Sequence, residues 1–253
     1  MSKTTPEWNP EKEFSRLRVV TASERKPPRI VLYGGAKVGK TTFAASADKP
    51  IFICTEDGLG DLAVPHFPLV TTFAEVVDHI DALVQETHDY KTVVIDSGDW
   101  LEAILWAQVA EDHGKKNIEE IGYGKGYLFA LNYWTEILNG LTYLRNTKNM
   151  TCIIIAHAII KPFNNPLTEA FDRYSLKLHE KSRAKVSEWA DCLLFANHKV
   201  VTKEGKNEKT RGIGKGERVL YTEERPGFEA GNRFSLPAEM PFAWETFAAS
   251  LQG

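Results

Sequence analysis

Between Tyr33 and Phe43 the chain reads Gly34-Gly35-Ala36-Lys37-Val38-Gly39-Lys40-Thr41-Thr42, with glycine, lysine and hydroxyl residues at the spacing G-x-x-x-x-G-K-[ST]. Each residue type has a physical use. Glycines let a backbone curl tightly enough for successive N–H groups to converge on an anion. The Lys40 ammonium adds a charge that can bridge β- and γ-phosphates, and the Thr41 hydroxyl offers an oxygen to Mg²⁺. Three more side chains suit the same chemistry. Asp96 closes the apolar run Thr92-Val93-Val94-Ile95, where a carboxylate can support a magnesium ion beside Thr41. Glu56 follows Ile51-Phe52-Ile53-Cys54-Thr55 and is placed to activate a water, with Asp57 next in line. His157 ends Ile153-Ile154-Ile155-Ala156, within reach of a terminal phosphate.

These residues are useful only if strands bring them to one rim, and the surrounding pattern predicts this. Arg29 to Tyr33 reads as the strand entering the loop, and the residues from Thr41 open a helix. Strands are expected at Pro50–Cys54, Thr92–Ile95, Met150–Ala156 and Asp191–Ala196, with helical patterns between several of them. Thr72-Phe73-Ala74-Glu75 fits a capping box before one helix. Others are expected around Trp100–Val109 and from about Tyr127 to Arg145. Alternating strands and helices argue for a mostly parallel central sheet flanked by helices. Loops are expected at Glu111 to Lys125 and Lys161 to Lys185. The C-terminal part reads as β-rich closure: strands at Lys199–Thr202 and Glu217–Thr222, then a short helix around Pro241–Leu251. Residues 1–27, ending in Pro27-Pro28, read as an arm, and 28–253 as one core.

Composition narrows the classes. With 253 residues, 43% of them hydrophobic, the chain can build one substantial α/β core. The three cysteines sit singly in apolar runs, which argues against a disulfide framework or a zinc site. The polar N-terminus and the lack of a long apolar run predict no membrane association and a cytoplasmic protein. A net charge of −3 gives no global attraction to nucleic acid, so any such contact must be local.

The ordered series extends beyond the phosphate loop. It takes in Ile51 to Gly58, Val93-Val94-Ile95-Asp96-Ser97, Ile153 to His157, Phe171-Asp172-Arg173-Tyr174-Ser175-Leu176, Glu188-Trp189-Ala190-Asp191 and Gly231-Asn232-Arg233-Phe234-Ser235-Leu236-Pro237. On these motifs the chain, over residues 13 to 240, resembles phage and prophage ATP-binding proteins of the RecA-like P-loop NTPase fold. Within these it resembles the short recombinase-like single-strand annealing proteins. The resemblance implies ATP and Mg²⁺ as cofactors, slow ATP hydrolysis, and assembly into a homo-oligomeric ring or filament. It also implies single-stranded DNA as a partner in phage recombination, with a single-strand-binding protein as a further partner, in the host bacterial cytoplasm. It implies a sheet in which the Asp96 strand separates the Glu56 strand from the phosphate-loop strand.

By the same resemblance a basic side chain from a neighbouring subunit completes the site, with Arg233 the choice and Arg225 the alternative. The two loops named above would face the DNA, the second offering Phe163, Phe171 and Tyr174 for stacking, and an arm carrying Phe14 would dock on the next subunit. Lys37, inside the loop, is expected to face solvent beside the phosphates. Two other readings fit a phosphate loop: a small-molecule or nucleoside kinase, and a nucleotide-switch adaptor in DNA replication.

Overall fold

The computed structural model describes residues 25–165, 169–203 and 211–252. Its strands are β1 (Arg29–Gly34), β2 (Pro50–Cys54), β3 (Thr92–Asp96), β4 (Thr151–Phe163), β5 (Phe171–Leu176), β6 (Cys192–Lys203), β7 (Arg211–Tyr221), β8 (Gly231–Asn232) and β9 (Glu239–Pro241). The helices are α1 (Lys40–Ala45), α2 (Phe73–Gln85), α3 (Gly98–Asp112), α4 (Lys125–Thr147), α5 (Glu180–Trp189) and α6 (Trp244–Gln252).

The main sheet runs β2-β3-β4-β1-β6-β7-β9. Its first five strands are parallel, and β7 and β9 close it in antiparallel fashion. This is the mostly parallel sheet with β-rich closure expected of a RecA-like P-loop core. The parallel strands are apolar throughout because both of their faces are covered. In β1, Val31 and Tyr33 join a core beneath α2, α3, α4 and α5, where Trp134 is wholly buried. Ile30 and Leu32 join a second core with Phe43 of α1 and Phe247 of α6. Helix α2 starts as its sequence predicts: the Thr72 hydroxyl accepts from Glu75 N–H, and the Glu75 carboxylate accepts from Thr72 N–H at 3.0 Å.

Two expectations are corrected. Most of the described part of 161–185 is regular structure rather than loop: β4 runs on past His157 for six residues and pairs antiparallel with β5, and α5 follows. Polar Lys161 and Pro162 read as loop, yet this two-stranded ribbon projects beyond the main sheet, where a proline without an N–H is tolerated. The runs expected as separate strands at 191–196 and 199–202 are one strand, β6, with an irregularity between His198 and Val200. As expected, the Asp96 strand β3 stands between β2 and β1, and β4 stands there with it. Most of the expected N-terminal arm, including Phe14, lies outside the described residues. Just ahead of β1, Arg145 donates to the Pro27 carbonyl at 2.6 Å and Lys26 to Asn146 at 2.7 Å.

Candidate nucleotide site

Parallel strands put their carboxyl ends on one rim, and β1, β2, β3 and β4 deliver the phosphate loop, Glu56, Asp96 and His157 to it. Gly34 ends β1 between His157 of β4 and Ala196 of β6. A Cβ there would lie 2.3 Å from the Ala196 carbonyl oxygen, so only glycine lets the three strands close up where the loop begins. The turn then uses left-handed backbone at Lys37 (φ 61°) and Gly39 (φ 103°), which caps α1.

Within the turn, Lys40 Nζ donates to the carbonyls of Gly35 at 2.9 Å and Gly34 at 3.2 Å. Burial lowers its pKa, opposed by the charges of Asp96, Asp99 and Glu56. The Thr41 hydroxyl donates to Asp96 Oδ2 at 2.8 Å. Burial, reinforced by Glu56, pushes the Asp96 carboxyl above its ordinary value against the Thr41 hydrogen bond and the charges of Lys40 and His157. A hydroxyl and a carboxylate oxygen side by side, with no thiol bonded to either, form a donor set that fits a hard cation such as Mg²⁺.

A cleft of about 430 Å³ opens over this turn. Ala36, Lys37, Gly39, Lys40, Thr41 and Thr42 line it on the loop side, and Glu56, Asp96 and His157 on the strand side. Lys37 is exposed at its mouth. Gly34, Gly35 and Val38 shape the loop from beneath: Gly34 and Gly35 supply carbonyls to Lys40, and Val38 packs into the core beside Phe43. Among the described residues no side chain hydrogen-bonds the Glu56 carboxylate, which is half-buried at the cleft wall. The volume suits a triphosphate, and its polar groups converge from separate strands.

Arg233 stands apart from this set. It follows β8 at the opposite rim, where its guanidinium donates to Asp191 Oδ1 at 3.0 Å and to the Glu188 carbonyl at 3.4 Å. It is therefore no part of this chain's own cleft, because its charge is committed to an aspartate at the amino ends of the strands. Arg225 is likewise outside the cleft, paired with Glu239 at 3.0 Å and lying over Tyr221. Burial raises the thiol pKa of Cys54 to about 11 and those of Cys152 and Cys192 to about 12, so none is a nucleophile.

Two residues beside the cleft escaped the reading of the sequence. Arg218 of β7 donates to the Val38 carbonyl at 3.2 Å and lies against Gly39, so the loop is braced from the antiparallel part of the sheet. Asp99, in the first turn of α3, accepts from the His157 backbone N–H at 3.0 Å and contacts His157 Nδ1 at 3.0 Å. Burial opposes its ionisation, but the hydrogen bonds and charges from His157 and Lys177 prevail and bring its pKa to about 2. The one local signal for Asp99 was its spacing of three residues after Asp96, which places it in the first turn of the following helix.

Fold and cleft together define a P-loop nucleotide-binding protein with a mostly parallel sheet. The chain belongs to the AAA domain family, which it matches over residues 26–234, and this makes it an AAA-type P-loop ATPase by class. Among solved structures the crystal structure of the RadB recombinase is similar, with a TM-score of 0.42 and 13% identity, covering 82% of this chain and 91% of that one. Among curated proteins no sequence matches the chain. No helix among the described residues is long and apolar enough to cross a membrane.

Proposed function

We propose that this chain binds ATP with Mg²⁺ in the cleft, hydrolyses it, and in its ATP state assembles on single-stranded DNA to anneal or exchange strands in phage recombination. The observation that carries the reading is the convergence of Lys40, the Thr41–Asp96 pair, Glu56 and His157 on one 430 Å³ cleft. On this reading the loop N–H groups and Lys40 hold the phosphates, Thr41 and Asp96 hold the magnesium, Glu56 takes a proton from the attacking water and His157 faces the γ-phosphate. The metal supplies charge neutralisation on the phosphates. Completion of the site by Arg233 in trans requires a neighbour whose far rim caps this cleft, and an Arg233 released from Asp191.

Support for a single strand as partner comes from the β4–β5 ribbon. It groups Phe163 and Phe171, with ring centroids 5.5 Å apart, around a hollow also lined by Arg173 and Arg225. The aromatic faces suit unstacked bases, while the two guanidinium groups, paired with Glu224 and Glu239, would meet backbone phosphates by exchanging those carboxylates. Phosphate release is the direct test. With Mg²⁺ and single-stranded DNA the chain should release inorganic phosphate to water, and Glu56→Gln should lower turnover by about 10²–10⁴-fold, the range for a lost general base, while still binding ATP. Phosphate transferred to a small acceptor would instead make the protein a kinase. No binding of labelled single strands at low salt in any nucleotide state would remove the recombination reading.

A further inference from the structure

The β4–β5 hairpin leaves the sheet at the cleft wall. Its first foot is His157, whose Cα lies opposite Gly34 at the start of the phosphate loop and which lines the cleft. Its second foot is Lys177, the residue after β5, whose N–H donates to the His157 carbonyl at 2.9 Å. Both feet meet Asp99. Its oxygens lie 3.0 Å from His157 N, 3.0 Å from His157 Nδ1 and 3.5 Å from Lys177 Nζ.

An acid in the first turn of a helix ordinarily faces solvent near that helix's own N–H groups. The Asp99 side chain is instead only 4% exposed and spends its hydrogen-bonding capacity on a different element. Since Nδ1 of His157 is occupied by Asp99, Nε2 is the ring nitrogen left for the cleft, and among the described residues nothing bonds it. Beyond its feet the hairpin is zipped from Ala158 opposite Leu176 to Phe163 opposite Phe171. Arg173 braces it by lying over the Phe163 ring at 4.7 Å and donating to the Phe228 carbonyl at 3.1 Å. A shift at the feet is thus carried along a continuous ladder.

We propose that Asp99 is a positioning residue that couples the nucleotide cleft to the β4–β5 hairpin, because one carboxylate grips His157 at the cleft and Lys177 at the hairpin's other end. A triphosphate that draws the His157 ring toward itself pulls on both feet at once. The inference rests on reading the cleft as an ATP site.

The test is hydrogen–deuterium exchange of the full chain with and without a slowly hydrolysed ATP analogue and Mg²⁺, with nucleotide affinity measured by calorimetry on the same preparations. In the wild type, nucleotide should slow exchange in peptides covering 158–163 and 171–176. Asp99→Asn, which keeps an acceptor for the backbone N–H but loses the charge that pairs Lys177, should still bind nucleotide and lose that nucleotide-dependent difference. Lys177→Met leaves the cleft lining and the Asp99–His157 contact in place, removes the other partner of Asp99 and should reduce the difference; it decides the matter should Asp99→Asn fail to fold. Nucleotide binding by the wild type without any hairpin response overturns the coupling alone. A wild-type difference retained in either variant overturns it as well, whereas absence of binding by the wild type sinks the ATP reading with it. The readout is the difference between nucleotide states, which a purely structural role for Asp99 would leave in place.

Discussion

Lys40 must carry a charge in surroundings that disfavour one. Its side chain is nearly buried, burial lowers its pKa, and its ammonium is held by two carbonyls of the loop it serves. Carbonyls are weak partners for a full charge, so a phosphate entering the cleft gains an ammonium already stripped of water. Lys40→Ala should therefore weaken ATP binding by about 10- to 100-fold, the equivalent of the ~1.5–3 kcal/mol typical of a charged hydrogen bond. The melting temperature of the nucleotide-free chain should change little, because the lost bonds to the carbonyls are offset by no longer burying a charge. Arg233→Ala is the matching control: its guanidinium is on the other rim, so the affinity of a single chain for ATP should stay the same in calorimetry. The phosphate loop, Asp96, Glu56 and His157 were legible in the sequence because each sits in or beside a short apolar run whose end fixes its place. Asp99, Lys177 and Arg218 were not, since their roles come from partners 58 to 180 residues away.

Elements carry these residues by pairing more tightly than side chains would allow. At the carboxyl end of β1, the glycine that starts the loop is squeezed by the backbone of β6. Gly34→Ala would bring a methyl to 2.3 Å from the Ala196 carbonyl, a clash with backbone rather than with a side chain that can turn away. The substitution should cost about 1–3 kcal/mol by the usual penalty for overpacking. It should also weaken ATP binding, since separating β1 from β6 displaces the loop. Urea unfolding and calorimetry on the same variant read the two effects. Strands β1, β2 and β3 were readable because burial on both faces makes each a short uninterrupted apolar run. The outer half of β4 and all of β5 were not: their order comes from pairing with each other and packing on 224–228, and polar, proline-containing residues in such a ribbon look like loop. In β6 both runs were readable as strands, and what was not readable is their continuity past His198, which β7 supports across the ladder.

On the scale of the whole molecule the two rims of the sheet have different work. The carboxyl rim keeps acids, a lysine and a histidine around an open cleft, an arrangement that favours ligand over stability. The amino rim is locked by one aspartate. Asp191 accepts from the Arg29 backbone N–H at 3.0 Å and from Arg29 Nη2 at 2.8 Å, and pairs with Arg145 at 3.3 Å and Arg233 at 3.0 Å. It therefore joins β1, the end of α4, the start of β6 and the segment after β8, elements drawn from both ends of the chain. Its side chain is only 6% exposed, so removing it leaves three guanidinium groups crowded without their counter-charge. Asp191→Ala should cost about 3–5 kcal/mol, the range for breaking a buried ion pair, which is a large part of the 5–15 kcal/mol that holds a typical domain together. The pH dependence follows from the carboxyl itself. Burial raises its pKa, but the hydrogen bonds and charges of Arg29 and Arg145 prevail and hold it below the ordinary value. A carboxyl with a depressed folded pKa stabilises fully above its unfolded pKa of about 3.9, and that contribution fades as pH falls through the lower folded value. Urea unfolding of the two proteins should show a wide gap in midpoint at neutral pH that closes as the medium is acidified below about pH 4. A gap that persisted unchanged in acid would mean that the aspartate acts through packing and not through its charge.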